Sequence, residues 1–131
     1  MTRLLALALL LAPAAPAARP DAILCSLTYA AETTTVVALP TTDPYAVTPT
    51  SVLGRFDFRV VWIEAPAAAA GVNIYTHQPT PAGPVLLHQA KFRPPYAVVP
   101  VDATHGFTGL QLVYSPDQGR ELQYWCAWRT P

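Results

Sequence analysis

The sequence has few charges, one lysine and no basic cluster, and these shortages exclude several kinds of partner. Its eight Lys and Arg residues balance eight Asp and Glu residues, so the formal net charge at pH 7 is zero. Proteins that bind nucleic acid or acidic membranes at physiological salt use clustered Lys and Arg to displace counterions. We therefore expect no nucleic-acid partner.

The motifs of the common enzyme classes are also missing. The chain has no Gly-x-Ser-x-Gly elbow, no His-Glu-x-x-His motif, no phosphate-binding loop and no Cys-x-x-Cys pair. Its acidic residues lie mainly on predicted solvent faces or in turns, as Asp57, Asp117 and Glu121 do. The sequence therefore predicts a protein without catalytic activity and without a cofactor.

The first residues carry the pattern of a secretory signal peptide. One basic residue, Arg3, precedes an apolar run over residues 4–12, which is too short to cross a bilayer. Small residues and prolines follow, and Ala15-Pro16-Ala17 is the best Ala-x-Ala cleavage site. We expect residues 1–17 to be removed and residues 18–131 to form one exported domain, periplasmic or secreted, without membrane insertion.

The chain has only two cysteines, Cys25 near its start and Cys126 near its end. Export to an oxidising compartment favours their pairing. Residues 23–29 and 121–128 both alternate with a period of two, and each cysteine falls on the apolar phase with Leu27 or Tyr124. The sequence therefore predicts a buried disulfide between the first and last strands.

Further strands follow from the same period of two. The clearest covers residues 55–62, where Phe56, Phe58, Val60 and Trp62 alternate with charged residues. Other predicted strands cover residues 33–39, 71–77 and 85–92, with a short edge strand over 96–101. A hairpin joins residues 109–114 to 120–128 across the turn Ser115-Pro116-Asp117-Gln118-Gly119.

Proline content limits helix formation, because the fifteen prolines punctuate the strands. Residues 65–71 are the one helix-friendly stretch, and they are too short for more than a turn or loop. About seven or eight short strands with regular turn signals are typical of a single antiparallel β-sandwich of immunoglobulin-like type. A small closed barrel is the alternative fold.

Histidines offer one route to a metal site. If the strands that carry His77 and His88 form a hairpin, their imidazoles could face each other as half of a site. The cysteines are committed to the disulfide, so carboxylate or water ligands would have to complete it. A metal-handling protein is therefore one alternative function, although the sequence predicts no metal.

Aromatic side chains offer another route to function. The strand alternation places Trp125 and Tyr75 on outward faces, where aromatic rings could anchor a protein partner or stack on a sugar. Cover by a loop of the same chain would instead remove Trp125 from solvent. We predict a non-enzymatic binding or accessory module for another exported protein, with a carbohydrate-binding module as an alternative.

Overall fold

Eight β-strands make up the regular structure of the described residues. The computed structural model describes residues 12–16, 18–99, 103–117 and 119–131. The strands are β1 (Ala22–Tyr29), β2 (Glu32–Ala38), β3 (Thr50–Val52), β4 (Phe56–Ile63), β5 (Gly71–Gln78), β6 (Val85–Phe92), β7 (Gln111–Ser115) and β8 (Arg120–Arg129). No helix occurs in these ranges, and so none is available there to span a membrane.

The strands form two antiparallel sheets of four strands each. The first sheet has the order β2-β1-β8-β7, and the second has the order β3-β4-β5-β6. The second sheet therefore joins strands that follow one another along the chain. In the first sheet, the strands nearest the two chain ends are central neighbours, with Cys25 opposite Cys126.

The alternating residues of both sheets meet in one core, which gives the fold its sandwich-like character. On β4, the side chains of Phe56, Phe58, Val60 and Trp62 are all buried, as the period of two predicts. The ring of Phe58 packs edge-on against Tyr124 of the other sheet, with their centroids 5.0 Å apart. The all-β prediction is confirmed.

The predicted disulfide joins the two central strands of the first sheet. Cys25 and Cys126 are bonded, both are fully buried, and their Cα atoms are 4.0 Å apart. Asp21 and Arg129 form a two-bond ion pair where the same strands begin and end. Hydrogen bonding to Arg129 lowers the pKa of Asp21, although the pair is exposed and contributes little stability.

Two strand predictions need correction. The three-residue strand β3 was not predicted, because such a short segment among prolines shows no period. The predicted edge strand over residues 96–101 is wrong for Tyr96 to Val99, which are irregular. Pro94 and Pro95 precede this segment and cannot donate ladder hydrogen bonds, and residues 100 and 101 lie outside the described part.

The other loops agree with the sequence. Residues 67–69 form a turn after Pro66, and β7 pairs with β8 as a hairpin. Gly119 in its turn has a φ of 62°, which glycine adopts without strain. Most of the predicted signal peptide, residues 1–11 and Ala17, lies outside the described residues, and Ala12 to Pro16 are exposed without regular structure.

Candidate functional site

An aromatic cavity opens at one end of the two sheets. Its volume is about 420 Å³, and its lining is mainly apolar, as is typical of ligand-binding pockets. Three aromatic side chains line it together with alanines, prolines and one pair of opposite charges; the lining residues are Arg19, Pro20, Trp62, Glu64, Ala70, Pro94, Tyr96, Ala97 and Trp128. We refer to this feature as the aromatic cavity.

Strand ends from both sheets bring the aromatic rings together. Trp62 lies near the end of β4 on its inward face, and Trp128 lies near the end of β8. Tyr96 comes from the irregular segment after Pro94 and Pro95. The alternation of the two strands thus places one tryptophan of each sheet at the same end of the core.

The rings of the cavity pack against one another. The Trp128 ring lies 5.2 Å from that of Trp62 and 4.9 Å from that of Tyr96, measured between centroids. Behind it, Phe107 stacks almost parallel to Trp128 at 4.5 Å. Edge-to-face and offset pairs are the favoured aromatic geometries. The apolar wall of the cavity is therefore formed by contacts within the chain itself.

Charged groups lie at the mouth of the cavity. Arg19 Nη2 donates to Glu64 Oε1 at 3.1 Å, and the Arg19 side chain is largely exposed. Burial raises the pKa of Tyr96, while Arg93 opposes the increase and Glu64 adds to it. The entrance thus carries one guanidinium and one carboxylate in front of an apolar interior.

Trp125 does not belong to this cavity. It lies on the outer face of the first sheet, as its strand phase predicts, but it is partly buried. The His105 ring packs edge-on against it at a centroid distance of 6.3 Å. The loop that carries His105 therefore covers part of the indole, which is the alternative that strand alternation alone left open.

Tyr75 lies on the outer face of the second sheet, on the opposite side of the molecule from Trp125. Its strand neighbours Ile74 and Thr76 are buried in the core, so the Tyr75 ring points away from it. The Arg59 guanidinium lies 4.9 Å from the Tyr75 ring centroid. The structure does not bring Tyr75 and Trp125 together, so they cannot share one sugar.

The two histidines that could have formed half a metal site also point to different faces. His88 lies opposite Thr76, and its Nε2 is 2.9 Å from the Tyr124 hydroxyl in the core. His77 lies on the outer face and stacks beside Tyr75. In the register of this hairpin, which shifts between Thr76 and His77, His88 pairs with Thr76 and His77 pairs with Leu86.

The surroundings of His88 explain its ionisation. Burial lowers the pKa of its imidazole and raises the pKa of the Tyr124 phenol well above its ordinary range. Burial thus favours the neutral form of each group, and the two side chains are hydrogen-bonded to each other. Among the described residues, no cluster of three or more His, Cys, Asp or Glu side chains has the arrangement of a metal site.

Sequence reasoning missed the aromatic cavity, although one signal for it was present. Trp62 and Trp128 each fall on the inward phase near the end of a strand, where a core opens to solvent. Their meeting depends on which strand ends lie side by side, and alternation within one strand does not contain that information. Tyr96 carried no signal, because it lies outside regular structure.

Comparison of the chain with protein-family models, with curated proteins and with solved structures finds no significant match in any of the three. The interpretation of the candidate site therefore depends on its geometry alone.

Proposed function

We propose that this protein is an exported, non-enzymatic binding module whose aromatic cavity accepts an apolar segment of a protein partner. The observation that carries the proposal is the cavity itself, which joins Trp62, Tyr96 and Trp128 in an open, apolar recess of about 420 Å³. Binding pockets combine such apolar linings with a few placed polar groups. Here Arg19 and Glu64 are the polar groups at the entrance.

The packing of the rings favours a peptide over a sugar. A stacked sugar needs a free aromatic face, whereas Phe107 covers one face of Trp128, and Trp62 and Tyr96 contact the same ring. What remains is a concave apolar wall that suits compact side chains. Proline-rich segments dock in aromatic-lined grooves because their extended conformation is already formed and little entropy is lost.

Export is part of the proposal and rests on two observations. The first is the signal-peptide pattern of residues 1–17 with its Ala-x-Ala site. The second is the buried Cys25–Cys126 disulfide, which is consistent with an oxidising compartment. Together they favour a periplasmic or secreted module that meets other exported proteins.

The immunoglobulin-like type is a proposal about the scaffold. Two four-stranded antiparallel sheets with a shared core support it. The disulfide differs from the pattern of antibody domains, because it joins neighbouring strands of one sheet and not the two sheets. The proposal thus concerns the layered architecture rather than that disulfide pattern.

Tryptophan fluorescence tests the peptide proposal directly, because two of the three tryptophans line the aromatic cavity. We expect an oligoproline peptide to change the emission saturably, with a Kd between about 1 μM and 1 mM, corresponding to about −8 to −4 kcal/mol. A glycine-serine peptide of equal length and a maltooligosaccharide should leave the emission unchanged. A response to the sugar alone would contradict the proposal.

A pair of matched substitutions localises the effect. Ala97→Phe places a ring at the mouth of the aromatic cavity, on an exposed and irregular segment where it should not disturb the core. Ala82→Phe places the same ring on the exposed β5–β6 loop, away from the cavity. We expect the first to abolish the oligoproline response and the second to preserve it. Equal loss in both variants would place binding elsewhere.

A further inference from the structure

The backbone of β2 forms one free edge of the first sheet. β2 pairs with β1 on one side, and no other strand of the described residues pairs with its second side. Free edges expose unpaired N–H and C=O groups, and native proteins usually protect them with short strands, Lys, Pro or bulges. β2 has none of these, because it is seven residues long, reads Glu-Thr-Thr-Thr-Val-Val-Ala and pairs with β1 in an unbroken register.

The other three edges have the protection that β2 lacks. β3 is only three residues long, and β7 only five. β6 carries Lys91, and its pairing with β5 contains a register shift between Thr76 and His77. The edge of β2 is therefore the one suited to adding another strand.

The disulfide geometry identifies which groups of β2 are free. Opposite residues in an antiparallel pair alternate between hydrogen-bonded pairs about 5.5 Å apart and non-hydrogen-bonded pairs about 4.5 Å apart. Cys25 and Cys126 are 4.0 Å apart at their Cα atoms and so form a non-hydrogen-bonded pair. The backbone of Cys126 accordingly bonds on its other side, to Phe107 and Thr108.

The same alternation continues across β1 to β2. Because the backbone groups of Cys25 turn away from β8, they face Val36, its partner on β2. Val36 and Thr34 therefore bond to β1, while the N–H and C=O groups of Thr33, Thr35 and Val37 point to the free edge. In the described structure, no backbone hydrogen bond from another segment reaches these three residues.

These free groups are self-complementary. An antiparallel second β2 with its two-fold axis at Thr35 places Thr35 opposite Thr35 of the second copy. Thr33 then lies opposite Val37. Each of the three residues whose backbone groups point to the free edge is therefore opposite another such residue. Glu32, the charged residue of β2, lies opposite Ala38 of the second copy, so no like charges meet.

We propose that the β2 edge is a homodimerisation surface, at which two copies pair antiparallel about Thr35 and extend the first sheet across the dimer. The pairing forms about six backbone hydrogen bonds, two for each of the three opposed pairs formed by Thr33, Thr35 and Val37. It leaves the aromatic cavity out of the interface, because none of the residues that line the cavity belongs to β2. The dimer is therefore independent of the peptide-binding proposal.

Sedimentation equilibrium of the purified, oxidised chain tests this edge. We expect a dimer that dissociates on dilution below about 1 mM. Thr35→Lys places two ammonium groups opposite each other on the two-fold axis and should weaken association at least about tenfold, or 1.4 kcal/mol. The matched variant Thr33→Lys places its ammonium opposite Val37, so its effect should be smaller than about threefold, or 0.7 kcal/mol.

Cross-linking supplies a second readout that does not depend on affinity. Thr35→Cys brings two thiols together on the axis and should give a disulfide-linked dimer on oxidation, whereas Thr42→Cys in an exposed loop should not. A wild-type chain that stays monomeric at about 1 mM overturns the proposal. So does a dimer that both lysine variants weaken equally, or a β2 edge that pairs only with a strand of another protein.

Discussion

The two sheets are built from different parts of the chain, and the disulfide lies in the sheet that pairs strands far apart in the sequence. The second sheet joins β3, β4, β5 and β6 in sequence order, so each pairing closes a short loop. The first sheet places β1 beside β8, whose cysteines are separated by 101 positions. Closing such a long loop costs more chain entropy, and the disulfide lies at this pairing.

The largest expected effect concerns the Cys25–Cys126 disulfide. Replacing Cys25 and Cys126 together by alanine should lower the free energy of unfolding by about 4.7 kcal/mol, since the bond closes a loop of about 100 residues. Denaturant titration of the oxidised wild type and the double variant measures the difference. Chemical reduction of the wild type is the control and should shift the midpoint in the same direction.

An unchanged midpoint in the double variant and in the reduced wild type would contradict the interpretation that the first sheet depends on its disulfide. It would mean that the packing of β1 against β8 is sufficient by itself, as it must be for the strands of the second sheet.

The next effect compares two tryptophans on β8. Trp128 contacts Trp62, Tyr96 and Phe107 between the sheets, so Trp128→Ala should destabilise the fold by about 3 kcal/mol, the lower end of the range for large aromatic truncations. Trp125 lies on the outer face, and Trp125→Ala should cost less than about 1 kcal/mol. Denaturant midpoints of the two variants check this order. Equal losses of stability would show that the loop carrying His105 packs on Trp125 well enough for this ring to stabilise the fold as much as Trp128 does.

The smallest effect concerns a hydrogen bond that links the two sheets, between His88 and Tyr124. Burial lowers the pKa of His88 from its ordinary value of 6.5, so the unfolded state binds more protons near this pH. The stabilisation is therefore complete above pH 6.5 and is lost as the pH falls through the folded-state pKa. The melting temperature of the wild type should therefore decrease as the pH is lowered below 6.5.

His88→Gln removes this titration while keeping a group that can hydrogen-bond Tyr124, so it should flatten the decrease. His77→Gln is the matched control, because His77 lies on the outer face beside Tyr75. If His77→Gln flattens the profile as much as His88→Gln does, the pH dependence does not arise from the core pair.

The predictable part of the fold follows from patterns within single strands. The burial of Phe56, Phe58 and Val60 follows from the period of two on β4. The β7–β8 hairpin follows from its proline and glycine turn, and the disulfide from two cysteines on inward phases of a chain that begins with a signal-peptide pattern. Each of these conclusions needs only near neighbours in the sequence or a pair with no competing partner.

The candidate site was less predictable because it depends on several segments. The half-site of His77 and His88 required the two side chains to share a face, and a one-residue register shift separates them. Tyr75 and Trp125 each have the outward phase that their strands predict. They belong to different sheets, however, and the sandwich-like packing places them on opposite sides.

The sequence by itself determined most of the strand content, the inward phase of both cysteines and the lack of enzyme motifs, because local periodicity and composition encode them. Only the tertiary structure decided that β1 and β8 are neighbours, that Trp62 and Trp128 meet at one open end, and that β2 lies at a sheet edge. The physical reason is that a strand's alternation specifies which side of the strand is apolar. Which strand lies beside it depends on contacts between residues far apart in the chain.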